Sequence, residues 1–154
     1  MTPTEFQSYF RTLRIIHTAL FVGVLTFGAV VYYAIGPTSI DEDLGRLFKY
    51  IVPGMFIGVV LISLSILNMK LKEIRAMDNV PVQLAAYREI NIVRWALAEG
   101  TTLFAIVAYL VSGYDSLMLL ALLGMAYLFF QRPDLDRLVE ELDLNESEQR
   151  ELGI

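Results

Sequence analysis

Glu99 is the residue of this 154-residue chain whose type and position most invite chemistry. It stands nine residues inside an apolar run from Ile90 to Ser112, roughly 13 Å from the start of that run at helical rise. A charged carboxylate in hydrocarbon costs several kcal/mol, so an acid there is expected to face other helices and to have a purpose. Two purposes are open. The carboxylate carries a proton or cation, or it makes a structural hydrogen bond to a neighbouring helix. Arg94 lies five residues back, about 140° round the same helix, and is a poor partner. His17, in another apolar run, is a candidate partner about a turn and a half nearer the run's start. Ser63, Ser65 and Tyr127 offer hydroxyls near Glu99's own depth.

Most other chemistries are excluded by residue types that are missing. The chain has no Cys and one His, which removes disulfides and thiolate sites and leaves too few ligands for a metal or haem in one chain. No Gly-rich phosphate loop, Ser/His/Asp grouping or other nucleophile–base pair occurs. No cofactor, no enzymatic activity and no nucleic-acid partner are expected, since a basic face is also missing. A lone histidine near a helix end reads as an interfacial or capping residue before it reads as a proton relay. Arg94 and Trp95 read as markers of a membrane boundary.

The elements that must position these residues are long and apolar. The composition is 56% apolar, above the 45–50% or so of soluble domains, although the net charge is −5. The charge sits between the apolar runs. A spanning helix needs roughly 20 apolar residues. Leu13–Ile35, Phe48–Met69 and Ile90–Ser112 meet that length, the second with Pro53 as an expected kink. Leu117–Phe130 is short and reaches span length by recruiting Tyr114–Ser116 and Gln131–Arg132. The expected fold is an all-α membrane protein of four transmembrane helices arranged as two hairpins. Residues 1–132 form the membrane domain, with spans at about 13–35, 48–69, 90–112 and 114–132, and residues 133–154 form an amphipathic helical tail.

Lys and Arg set the orientation. Arg11 and Arg14 precede the first span; Lys70, Lys72, Arg75, Arg88 and Arg94 surround the second connection; Arg132, Arg137 and Arg150 follow the fourth span. Only Arg46 and Lys49 fall on the other side, with Asp41, Glu42, Asp43 and Asp115. Both termini are therefore expected in the cytoplasm.

Three pieces lie outside the spans. Thr2-Pro3-Thr4-Glu5 is a capping box with Pro in the first turn, and Phe6, Phe10 and Leu13 behind it predict a short helix lying on the membrane surface. The connection from Lys70 to Tyr87 is expected to turn at Asp78-Asn79. Pro133 opens a tail helix whose Leu135, Leu138, Val139 and Leu142 form an apolar stripe, and Asn145 with Glu148 makes a second capping box. The stripe needs a cover, either the chain's own linker or a cytoplasmic protein partner.

At an offset of 77 residues, nine positions match between Arg11–Gly36 and Arg88–Gly113, among them Arg11/Arg88, Gly23/Gly100, Tyr32/Tyr109 and Gly36/Gly113. The first and third spans run the same way, so this predicts a parallel repeat of hairpins. Gly23, Gly28, Gly100 and Gly124 mark positions where helices can approach closely, and a homo-oligomer in the bilayer is expected.

The Ala86-Tyr87-Arg88 linker, Arg94-Trp95-Ala96-Leu97-Ala98-Glu99-Gly100 and the tail Arg132-Pro133…Leu142-Asp143-Leu144 resemble a group of small bacterial four-span membrane proteins. That resemblance implies a multi-pass protein of the bacterial inner membrane and adds no mechanism. More locally, Ala96–Glu99 followed by Leu103–Val107 is similar to the ion-carrying helix of rotary ATPase proteolipids, where such a Glu binds a proton or sodium ion. Those proteins pack a Gly-rich helix against it and place their termini outside, whereas the first span here has only Gly23 and Gly28. The leading expectation is a self-associating subunit or scaffold with Glu99 as a polar site. The alternative is a proton, cation or small-solute channel or carrier.

Overall fold

The computed structural model describes residues 1–38 and 42–154 and is helical through most of them. Asp41, counted above among the outer acids, lies outside the described residues. Helix α1 (Pro3–Val30) starts on the expected capping box: Thr2 Oγ1 accepts from the Glu5 amide at 3.3 Å and the Thr2 amide donates to Glu5 Oε2 at 2.7 Å. It widens into one π-helical turn (Val31–Ile35) and stops at Gly36, whose φ of +71° suits a residue without Cβ. Helix α2 (Glu42–Arg75) carries Pro53 in its interior. Helix α3 (Val80–Ser112) follows a turn at residues 76–79, has Pro81 in its first turn and ends at Gly113, also at φ +71°.

Helix α4 (Asp115–Phe130) has 16 residues, roughly 24 Å at helical rise and short of a hydrocarbon layer of about 30 Å. The tail holds α5 (Leu135–Leu142), bent 74° from α4, and α6 (Glu146–Leu152), which opens on the Asn145/Glu148 capping box. Pro133 does not open the tail helix. It lies in the link between α4 and α5, where the Asp134 carboxylate caps α5 by accepting from the Asp136 amide at 3.4 Å.

Three helices are long and apolar enough to cross a membrane, and the bent α4–α5 pair raises the number to four. The four longest helices pack as one bundle. At one end the arm, the 76–79 turn and the tail meet: Arg75 Nε donates to the Glu141 carbonyl at 2.9 Å, and the Met1 amine lies 3.9 Å from Glu151. At the other end the Thr38 amide donates to Leu110 O at 2.8 Å and Lys49 Nζ sits 3.7 Å from the Tyr114 ring centre.

Helix α3 is the axis, packed against α1, α2 and α4. The expected two hairpins are only half realised. α3 and α4 pack along their length, but α1 packs on α3 and α4 and makes no more than marginal contact with α2. Tyr32 and Tyr109 stack with centroids 6.4 Å apart.

The amino-terminal face also differs from expectation. α1 is continuous from Pro3, and Phe6, Phe10 and Leu13 are buried within the chain rather than laid on a surface. The Tyr9 hydroxyl donates to Leu84 O at 2.7 Å, fastening this arm to the start of α3.

Candidate functional site

Glu99 owes its position to two contacts of its helix. His17 and Trp95 meet edge to face at 5.0 Å, and a Cβ on Gly28 would lie 3.4 Å from Ile106 Cδ1. Trp95 and Ile106 stand four residues before and seven after Glu99, so all three share one side of α3, the side that faces α1. Glu99 is not fully buried as expected. It lies half-exposed at the rim of the buried stripe that contains Ala98 and Thr102.

No hydrogen bond or ion pair joins Glu99 to another described residue. The hydroxyls named for it do not reach it. Ser63 is fully buried with its Oγ unpartnered, Ser65 is exposed, and Tyr127 is half-buried. The bond expected from α2 or α4 to Glu99 is therefore not made within one chain.

Small residues are exposed on the outer faces of the two helices that meet beside Glu99. Ala19 and Gly23 are exposed on α1, and Ala96 and Gly100 on α3. A Cβ added at Gly23 or Gly100 would meet nothing within 4 Å. Gly23 is two residues from Phe21, hence on nearly the opposite side of α1. Phe21 packs on Phe129 of α4 at 5.7 Å, so Gly23 opens on the side away from α4.

His17 and Arg94 belong elsewhere. His17 is buried, with Nε2 2.9 Å from the Leu128 carbonyl; a carbonyl only accepts, so Nε2 carries the proton of this bond. Trp95 Nε1 donates to Gln131 O at 3.1 Å. Side chains from α1 and α3 thus bond carbonyls at the carboxyl end of α4, and Leu128 O also accepts from the Gln131 amide at 3.1 Å. His17 is a cap, supplied in trans.

Arg94 does not mark a boundary facing headgroups. It turns inward, buried, and its Nη1 donates to Asn91 Oδ1 at 3.2 Å. Asn91 Nδ2 donates to Tyr87 O at 3.0 Å, and the Tyr87 hydroxyl to Glu141 Oε2 at 2.7 Å. Gln83, which donates to Met77 O at 2.6 Å, begins the same row. This polar row escaped the sequence reading, yet its signal is there: Gln83, Tyr87, Asn91 and Arg94 recur at spacings of four, four and three, one face of a helix. Its bonds end in the tail, so it serves as a fastening.

Comparison with known protein families, curated proteins and solved structures finds no match. The functional reading stands on the geometry alone.

Among the described residues no group of three or more His, Cys, Asp or Glu side chains gathers as a metal site would require. The tail stripe is largely covered by the chain itself. Leu138 and Leu142 are buried, and Leu135 and Val139 are left half-exposed along one edge.

Proposed function

We propose that the chain is a non-enzymatic, multi-pass protein of a bacterial inner membrane that self-associates through its α1/α3 seam, with Glu99 as the polar lock between copies. In this reading it crosses the bilayer four times with both termini in the cytoplasm. Gathering of the arm, the 76–79 turn and the tail at one end of the bundle supports that orientation, since ten of the twelve basic residues lie in or beside those segments.

The observation that carries the reading is the Glu99 carboxylate without a partner, on a helix pair that exposes Ala19, Gly23, Ala96 and Gly100. Polar side chains at bilayer depth are driven to find partners, and small residues let backbones approach. A second copy laid along the seam supplies both, because it brings its own Glu99 and its own small residues. Single-molecule photobleaching in vesicles tests this. The wild type should show two or more copies per spot at low protein-to-lipid ratio, and Gly23→Leu and Glu99→Leu should each shift the distribution to single copies. A monomeric wild type, or variants indistinguishable from it, overturns the reading.

A further inference from the structure

We propose that the cleft between α1 and the α4–α5 link binds the headgroup of an anionic phospholipid of the cytoplasmic leaflet. This rests on the membrane orientation proposed above. The cleft is open, about 350 Å³, and is lined by Arg14, His17, Thr18, Arg132, Pro133 and Asp134. A second hollow of about 320 Å³ adjoins it and shares Arg132 and Asp134, adding Arg137 and the exposed rings of Phe129 and Phe130.

The charge on these walls is in excess and available. Arg14 lies 4.6 Å over the Phe10 ring and Arg132 5.7 Å from that of Phe129, and neither forms an ion pair among the described residues. Arg137 is engaged, pairing with Glu141 at 3.7 Å and donating to Phe130 O at 3.4 Å. Asp134 is the one carboxylate on the walls, and its Oδ1 caps α5. Two unpaired guanidiniums facing one cleft with a threonine hydroxyl are the donors a phosphodiester needs.

An apolar path leads from this mouth along the same α1/α4 seam and selects a lipid over free phosphate. Phe21 and Phe129 lie next, and the exposed Leu25 follows one turn on. Arg14 to Leu25 spans roughly 16 Å of helix, about the depth of one leaflet. The guanidiniums therefore stand at headgroup level and the apolar seam at acyl-chain level.

The test titrates phosphatidylglycerol or phosphatidylcholine into the full chain in neutral detergent micelles, following affinity by native mass spectrometry and stability by thermal unfolding. Phosphatidylglycerol should bind tighter and raise Tm more than phosphatidylcholine. Each of Arg14→Gln and Arg132→Gln should weaken it about fivefold, the worth of about 1 kcal/mol per basic residue at an anionic surface. Asp134→Asn keeps an N-cap and removes the opposing charge, so it should bind phosphatidylglycerol more tightly. Arg46→Gln with Lys49→Gln, at the other end of the bundle, should leave the affinity unchanged.

The proposal is overturned if the two lipids bind alike, if the Arg14 and Arg132 variants match the wild type, or if inorganic phosphate stabilises as well as phosphatidylglycerol does. Alkaline carbonate extraction of the same protein from membranes separates the two readings. A chain that resists extraction but ignores headgroup charge sinks the lipid site alone, whereas a chain that is released sinks the membrane reading with it.

Discussion

The Tyr87 hydroxyl, at the start of α3, donates a 2.7 Å hydrogen bond to the Glu141 carboxylate in the tail, 54 residues on. Arg75 at the end of α2 holds the same part of the tail through its backbone, with Nη2 3.2 Å from Glu140 O and Nε 2.9 Å from Glu141 O. Those carbonyls belong to the last turn of α5, where backbone donors run out: Glu140 O also accepts from the Asp143 amide at 3.3 Å. An eight-residue helix is marginal on its own, so these bonds and the burial of Leu138 and Leu142 are what keep it formed.

Tyr87→Phe should therefore loosen the tail without disturbing the long helices. A hydrogen bond to a charged group contributes about 1.5–3 kcal/mol. Glu141 is already 16% exposed and paired with Arg137, so partial rehydration places the loss at the low end, about 1–2 kcal/mol. Hydrogen exchange of the α5 and α6 amides should speed up by about a factor of ten, with amides of α2 and α3 unchanged. Unaltered exchange in the tail would show that the bond contributes nothing.

The glycines divide by what surrounds them. A Cβ at Gly124 would press on Thr102 Oγ1 and lie 2.7 Å from ring atoms of Phe56. Neither can yield easily, since Thr102 is held by a 2.7 Å bond to Ala98 O and the ring is half-buried. Gly124→Ala should cost about 1–3 kcal/mol in thermal unfolding of the micelle-bound monomer. Gly28→Ala should cost less, because the nearest atom, Met125 Cε at 2.8 Å, ends a flexible side chain. Gly23→Ala should leave that monomer unchanged. A reversed order would contradict the packing described here.

Local chemistry was legible in the sequence and azimuth was not. Both capping boxes and the stop at Gly36 depend on residues a turn apart, and they form as expected. Which way a side chain points around a membrane helix depends on its neighbours. An apolar run says that a residue avoids water, without saying whether lipid or protein covers it. Of the three long helices, α2 is the most apolar and the least buried, and α3 the least apolar and the most buried. Glu99 was placed inside by the first rule and stands at the rim by the second. Arg94 and Arg14 are alike in type and near the same end of the bundle, yet the first is drawn inward by Asn91 and the second lies out over Phe10.

The orientation makes a prediction at the short fourth helix. Accessibility tags at the amino terminus, beside Asp78 and after Ile154 should all report cytoplasm, and tags beside Asp43 and Asp115 should report the opposite side. α4 falls short of the bilayer by length alone, so the tag after Ile154 is the decisive one. A carboxyl terminus on the outer side would contradict the shared end at which the tail, the 76–79 turn and the arm meet.

Glu99 allows the lock and the ion site to be told apart by chemistry that differs only in a proton. Gln keeps a donor, an acceptor and nearly the shape of the carboxyl group, while Leu keeps only bulk. If the carboxyl group is a lock between copies, Glu99→Gln should assemble as the wild type does. Glu99→Leu should then weaken assembly by about 0.5–2 kcal/mol, the range for interhelical bonds in lipid. If instead it carries a proton or cation along the seam, Gln and Leu should abolish flux equally, because neither can release a proton or hold a charge. Photobleaching and proteoliposome flux of protons, Na⁺ and K⁺, measured on the same three proteins, separate these patterns. Assembly that survives Gln and fails with Leu, with no flux from any of the three, is the result expected here. Flux from the wild type that both substitutions abolish would replace the lock with a transport site. If neither substitution changes assembly or flux, Glu99 has no part in either, and the small residues of α1 and α3 alone would have to account for self-association.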